Sequence, residues 1–212
     1  MIRAFLAVEP TDDLRCSVML VQQEIRGRIE GTGRRGSRIT WVRPAALHLT
    51  IKFLGEMDEQ IVAPLRAVLQ QALGGRRVLS VPLERVGGFP RAQSPRVLWV
   101  GPGEGWERSE DCEEAILWQR SIDDGCRQFG FAPETKPFSP HLTIARIKVG
   151  DRQVGQALAH SGLLDRPLEM GRLALNSLSF IKSELRPEGP LYTKLWEIRL
   201  GDLQSEVSGE TR

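Results

Sequence analysis

The chain has 212 residues, 41% of them hydrophobic and 26% charged, with a formal net charge of +2. That composition belongs to a folded globular protein with enough chain for one good-sized domain or two packed lobes, and it excludes a disordered, strongly acidic or strongly basic chain. No apolar run is long enough to cross a membrane and Ala4–Val8 is too short for the core of a signal sequence, so a cytoplasmic protein without membrane attachment is expected.

In chain order, Ile2–Glu9 reads as a strand stopped by Pro10. Thr11 is placed to cap a helix whose apolar residues recur at Leu14, Val18, Val21 and Ile25. Gly31–Gly36 is a basic, glycine-rich loop, expected to be irregular. Ile39–Val42 and Leu47–Leu54 are short strands, closed by Pro44 and Gly55. Asp58–Leu73 has helical periodicity and ends at Gly74-Gly75. Val78–Val86 and Arg96–Val100 are expected to pair, joined by an irregular segment at Gly87–Pro95. A long helix is expected over Glu107–Phe129 and a strand over His141–Lys148. A short helix follows at Arg152–Ser161, then strands at Leu168–Ile181 and Leu191–Leu200. Helices and strands mix without regular alternation, which predicts an α+β fold with mostly antiparallel pairing. Residues 1–200 are expected to form one unit of two lobes, and residues 201–212 a polar, disordered tail.

One repeat stands out. His48-Leu49-Thr50-Ile51 recurs as His141-Leu142-Thr143-Ile144. A repeated tetrapeptide is unremarkable, but both copies begin with one of only three histidines, a coincidence of about one in a thousand at average residue usage. In a strand, alternate side chains share a face. His48 and Thr50 therefore lie opposite Leu49 and Ile51, and the second copy repeats this. Each strand presents an imidazole and, about 7 Å along, a hydroxyl. The third histidine, His160, lies near a helix end and has no such context.

Paired imidazoles suit phosphodiester cleavage. The reaction needs a base for the attacking oxygen and an acid for the leaving oxygen, and groups that titrate near pH 6.5 serve as either. Attacking and leaving oxygens lie in line through phosphorus, so the two groups belong on opposite sides of a bound phosphate. Threonine hydroxyls can donate to its non-bridging oxygens. Neither histidine has a zinc-ligand spacing, and the cysteines, Cys16, Cys112 and Cys126, form no close pair, so no metal, cofactor or disulfide is expected. Parity also places Lys52 on the groove face and Phe53 in the core. Arg146 lies five residues after His141, where strict alternation points it away unless a bulge or the end of the strand redirects it.

At these motifs the chain resembles the RNA 2′,3′-cyclic phosphodiesterase (2′-5′ RNA ligase, LigT-like) family of two-histidine phosphoesterases. The likeness extends to Met1–Val8, Trp41-Val42-Arg43-Pro44, Leu47–Gly55, Phe89-Pro90-Arg91, Pro95–Gly101, Pro137–Arg146 and Ser183–Leu195. The resemblance implies two pseudo-symmetric lobes around a central groove. It also implies hydrolysis of a terminal RNA 2′,3′-cyclic phosphate to a 2′-phosphomonoester, with His48 as donor to the leaving 3′ oxygen, His141 as acceptor from water, and Thr50, Thr143 and Arg146 at the phosphate. The expected partner is RNA, including tRNA fragments, and the expected state a monomer. Two alternatives stay open: ligation of RNA halves through a 2′-5′ linkage, and a non-catalytic RNA-binding groove using Arg34, Arg35, Arg38, Arg91 and Arg96.

Overall fold

A computed structural model describes residues 1–31, 36–187 and 189–200. Arg34, Arg35 and the expected polar tail at 201–212 lie outside the described residues, as does most of the glycine-rich loop.

Strand β1 (Ile2–Val8) is followed by helix α1 (Asp12–Gly31), whose first turn is capped as Leu14 N–H donates to Thr11 Oγ1 at 3.4 Å. Strand β2 (Arg38–Trp41), a 3-10 turn at Pro44–Ala46 and strand β3 (Leu49–Met57) lead to helix α2 (Val62–Leu73). That helix begins later than periodicity alone predicts, because Asp58 caps a separate 3-10 turn at Glu59–Ile61. Strands β4 (Leu79–Pro82), β5 (Arg85–Phe89) and β6 (Val97–Gly101) precede helix α3 (Glu110–Arg127). Ser109 sets the start of α3 by accepting from Cys112 N–H at 3.1 Å. Strand β7 (Leu142–Val149), helix α4 (Asp151–Ser161) and strands β8 (Arg172–Leu175), β9 (Ser177–Arg186) and β10 (Gly189–Arg199) complete the order.

Every strand pairing is antiparallel. The main sheet runs β10-β9-β1-β3-β7-β6-β5, with β2 also on β7. Its two halves meet at β3 and β7 through the single register pair Leu49↔Leu142. The two motif strands touch at their beginnings and then part, each carrying its own half of the sheet. Helices α2 and α3 pack together beside β10 and β3, and α1 packs on α4. The result is the α+β, two-lobed arrangement expected from the sequence.

Strand β1 shows how the faces divide. Ile2, Ala4, Leu6 and Val8 enter the main core with the apolar faces of the helices, whereas Phe5 and Ala7 face the other way, against Ile181 and Tyr192. Leu49, Ile51, Leu142 and Ile144 join the main core from β3 and β7. Burying each such side chain contributes about 1.5–3 kcal/mol. A one-residue slip of either strand would expose its pair, so the register is strongly held.

Two expected strands divide. Val78–Val86 splits, with Leu79–Pro82 pairing with Arg172–Leu175 in a separate two-stranded sheet while Arg85–Phe89 pairs with Val97–Gly101. Leu168–Ile181 likewise splits around Asn176, because β8 serves β4 and β9 serves β1. Gly87–Phe89 is thus regular strand, not loop. Gly87 is required there because the Trp99 indole lies across it, where any Cβ would collide.

Candidate active site

The two motifs fold alike, including one irregularity that alternation does not foresee. On β3, Thr50 is opposite Ala7 and Lys52 opposite Leu6, leaving Ile51 as an extra residue. On β7, Thr143 is opposite Trp99 and Ala145 opposite Leu98, leaving Ile144 as an extra residue. A bulge at the fourth residue of each motif reverses parity beyond it. Ile51 and Lys52 both turn inward, as do Ile144 and Ala145. Phe53 and Arg146, each five residues after its histidine, turn out into the cleft.

This corrects the placement of Lys52. Its side chain is 3% exposed, bonded to the Asp123 carboxylate and, at 2.7 Å, to the Ala132 carbonyl. It ties α3 and the following loop to the back of β3 and does not line the cleft. Phe53, expected in the core, is 67% exposed. Arg146 does reach the cleft, turned there by the bulge at Ile144 and not by the end of the strand.

The cleft has a volume of about 860 Å³ and brings together His48, Thr50, His141, Thr143 and Arg146. Each histidine sits one residue ahead of its strand. His48 Nδ1 lies 2.9 Å from the Ala46 carbonyl, and His141 Nδ1 lies 2.7 Å from the Ser139 carbonyl, in both cases two residues upstream. A carbonyl only accepts, so Nδ1–H is the donor in both rings and each Nε2 is left for a ligand. The Pro44–Ala46 turn and the Ser139-Pro140 segment therefore fix both tautomers in the same way.

Aromatic rings hold the imidazoles in place. His48 lies 4.7 Å from Phe5 and 5.3 Å from Tyr192, centroid to centroid. His141 lies 5.0 Å from Phe89 and 6.1 Å from Trp99. Burial holds both histidines below their usual protonation range, and the charge of Arg146 lowers both further, against the Nδ1 hydrogen bonds. At His48 the field of Glu9 opposes the shift and that of His141 adds to it. The unliganded site thus favours two neutral imidazoles beside an arginine. Arg146 makes no ion pair among the described residues, so its charge is available to an anion.

Several cleft residues escaped the reading by parity. Gln119 and Lys136 line it and have no local signature, whereas Arg43 and Tyr192 lie in segments that carry the family likeness without having been singled out. Phe53 did have one, because aligning the two motifs puts it in the slot of Arg146. Of the arginines considered for RNA, Arg96 lines the cleft, while Arg38 and Arg91 do not. Arg76 and Arg77 are engaged with Glu114, Ser121 and Asp111 of α3. His160 closes α4, with Nδ1 bonded to the Gln156 carbonyl at 2.6 Å. Among the described residues, no three His, Cys, Asp or Glu side chains converge as a metal site.

The model of the LigT like phosphoesterase family matches residues 21–99 and 109–192. An RNA 2′,3′-cyclic phosphodiesterase of Methanothermobacter thermautotrophicus is 32% identical over 199 residues, which span 94% of this chain and 99% of the relative. A protein of the same name from Aeropyrum pernix is 34% identical over 162 residues, 72% of this chain and 81% of the relative. Among solved structures, a Thermus thermophilus protein superposes with a TM-score of 0.69 at 25% identity, covering 94% of this chain and 98% of the other. Escherichia coli LigT in its apo form shares the fold with a TM-score of 0.64 at 19% identity, over 93% and 96% of the two chains. The chain belongs to the LigT-like phosphoesterase family of two-histidine enzymes.

Proposed function

We propose that the protein hydrolyses RNA ends carrying a 2′,3′-cyclic phosphate, releasing a 2′-phosphomonoester, with no metal ion in the step. The observation that carries this reading is the matched pair of imidazoles. His48 and His141 have the same tautomer, imposed by the same upstream hydrogen bond, and share one cleft with an unpaired arginine.

Water attacks phosphorus and gives its proton to Nε2 of His141. The bond from phosphorus to O3′ breaks as Nε2–H of His48 protonates that oxygen. The products are a 2′-phosphomonoester and a free 3′-hydroxyl. The enzyme is left with His141 protonated and His48 neutral, and exchange with solvent resets the pair. Arg146 and the hydroxyls of Thr50 and Thr143 are assigned to the non-bridging oxygens. The donor role is assigned to His48, whose proton affinity rises when the anionic phosphate binds. With an RNA 5′-hydroxyl in place of the attacking water, the same displacement of O3′ is ligation through a 2′-5′ linkage by the same residues. The enzyme is taken to act as a monomer in the cytosol, with RNA fragments such as tRNA halves as substrates.

The test is an oligonucleotide ending in a 2′,3′-cyclic phosphate, incubated with the protein in EDTA. Conversion to a 2′-phosphate is expected, and failure to convert would refute the reading. His48→Ala and His141→Ala should each reduce the rate by about 10²–10⁴-fold, the usual worth of a positioned acid or base. The double variant should be scarcely worse than either single one, because the groups act as a unit.

A further inference from the structure

Besides the histidines, the charged side chains lining the cleft are Arg43, Arg96, Lys136 and Arg146, against the single carboxylate of Glu134. The reaction uses one of these cations, Arg146, and Arg96 faces Asp151 at 3.9 Å. Arg43 and Lys136 are exposed and, among the described residues, make no ion pair or side-chain hydrogen bond. They are also matched. Each stands five residues ahead of its motif histidine and precedes a proline, Arg43-Pro44 before His48 and Lys136-Pro137 before His141. Neither has a signature by itself, and only aligning the two histidines pairs them.

The fold crosses the pair over. Arg43 follows β2, which lies along β7: Thr40 is opposite Arg146, Trp41 is opposite Ala145, and Val42 N–H donates to Ile144 O at 2.9 Å. Lys136 follows the segment held at the back of β3, where Lys52 bonds the Ala132 carbonyl and Asp123 accepts from Glu134 N–H. Arg43 therefore stands with the His141 strand, and Lys136 with the His48 strand.

One reacting phosphate, already served by Arg146 and two threonine hydroxyls, leaves these two cations over. Free cations on both walls of a cleft suit a chain of phosphates. We propose that Lys136 and Arg43 hold the phosphodiesters that flank the reacting phosphate. Lys136 takes the one upstream in the RNA that bears the cyclic phosphate, and Arg43 takes one in a second strand that brings its 5′-hydroxyl to the His141 side. The strands fall on opposite sides because the attacking and leaving oxygens do. The terminal ribose holds the leaving O3′ on the His48 side, so its own strand continues past Lys136. A strand attacking from the His141 side passes Arg43. Water carries no phosphate, so Arg43 is idle in hydrolysis and engaged when two RNA ends are joined. Such contacts read charge and not bases, so they favour a polynucleotide over a mononucleotide without selecting a sequence. The direction of the strands rests on the proposed roles of His48 and His141, but the two phosphate contacts do not.

The experiment compares wild type with Arg43→Gln, Lys136→Gln and the charge-retaining Arg43→Lys and Lys136→Arg. The substrates are adenosine 2′,3′-cyclic phosphate and a diadenosine ending in a 2′,3′-cyclic phosphate, which adds one upstream phosphodiester. Lys136→Gln should raise KM for the dinucleotide about 3- to 5-fold at low salt, the upper range for an exposed ion pair, and spare the mononucleotide. Arg43→Gln should alter neither. A tetranucleotide supplies an arm that needs no turnover. Its central linkage runs 2′-5′ from a 3′-deoxyadenosine, which lacks the hydroxyl needed to re-form the cyclic phosphate. Calorimetric binding of this ligand should weaken with salt, and each Gln variant should lower the slope of log Kd against log salt by about 0.7, the share of one single-strand phosphate. The charge-retaining variants should restore the slope. Unchanged slopes in either Gln variant, an equal loss of affinity for adenosine 2′-monophosphate, or a dinucleotide KM that follows Arg43 and not Lys136 would overturn the proposal. If wild type turns over neither cyclic phosphate while the slopes change as stated, the reaction is refuted and the flanking contacts stand.

Discussion

Replacing Lys52 with Met separates a buried structural cation from a phosphate ligand. The Lys52 side chain is 3% exposed, and its ammonium engages the Asp123 carboxylate and the Ala132 carbonyl. Asp123 is itself 13% exposed and also accepts from Glu134 N–H at 3.0 Å. Methionine preserves most of the packing but leaves the carboxylate without its cation. Breaking such a buried pair costs about 3–5 kcal/mol. The Glu134 hydrogen bond and the residual exposure of Asp123 place the expected loss near the lower limit, about 3 kcal/mol. For a chain of this size that corresponds to a fall in Tm of roughly 6–12 °C. The double variant Lys52→Met with Asp123→Leu should recover much of the loss, since the cost lies in the orphaned charge and not in the missing attraction.

Urea and thermal unfolding, followed by tryptophan fluorescence, measure the stability term. Steady-state kinetics well below the transition measure the functional one. Turnover of the folded fraction should persist, because no part of Lys52 lines the cleft. A variant of unchanged stability whose KM rose sharply would refute the reasoning, and would return Lys52 to the phosphate.

Arg146→Ala should leave stability nearly unchanged, since the side chain is exposed, and should lower kcat/KM by about 10²–10³-fold, the worth of one charge-stabilising donor. Because its charge lowers both histidines, its removal should also move the pH–rate profile upward; a profile that moves downward or not at all would contradict the placement. The protonation of His48 and His141 is also linked to folding. Both titrate lower in the folded protein than in the unfolded chain, so between the two values the unfolded state binds more protons and stability falls as pH drops below about 6.5. Urea midpoints from pH 8 to 5 should show this loss in wild type and a smaller one in the His48→Gln, His141→Gln variant; identical slopes would refute it. Gln22, buried in α1, donates Nε2–H bonds of 2.8 Å to both Val42 O and Ile144 O, the second at the bulge itself. Gln22→Leu should cost about 1–3 kcal/mol by leaving these carbonyls short of a donor, read as a lowered Tm.

The recurrence of His-Leu-Thr-Ile was legible in the sequence because its chemistry is local. Alternation over the first residues of a strand follows from backbone geometry alone, so Leu49 and Ile51, like Leu142 and Ile144, turn to the core while the threonines turn to the cleft. Helix ends were legible where a capping side chain was recognised, as at Thr11, and were misplaced where it was not, as at Ser109. The α+β class followed from element order for the same reason. Strand partners did not, since Val78–Val86 carries no mark that its first half serves β8 and its second half β6.

The tertiary structure alone decided which residues after the bulge face the cleft. A bulge exists only between paired strands, and its position depends on β1 and β6, which are distant in the chain. Parity carried through without it reversed Lys52 and Phe53. The common tautomer of the two histidines was likewise invisible, because it depends on how the Pro44–Ala46 turn and the Ser139-Pro140 segment aim their carbonyls. The sequence by itself determined which groups are candidates for the chemistry. The long-range pairing determined where they point, because side-chain direction in a sheet is a property of the ladder and not of the strand.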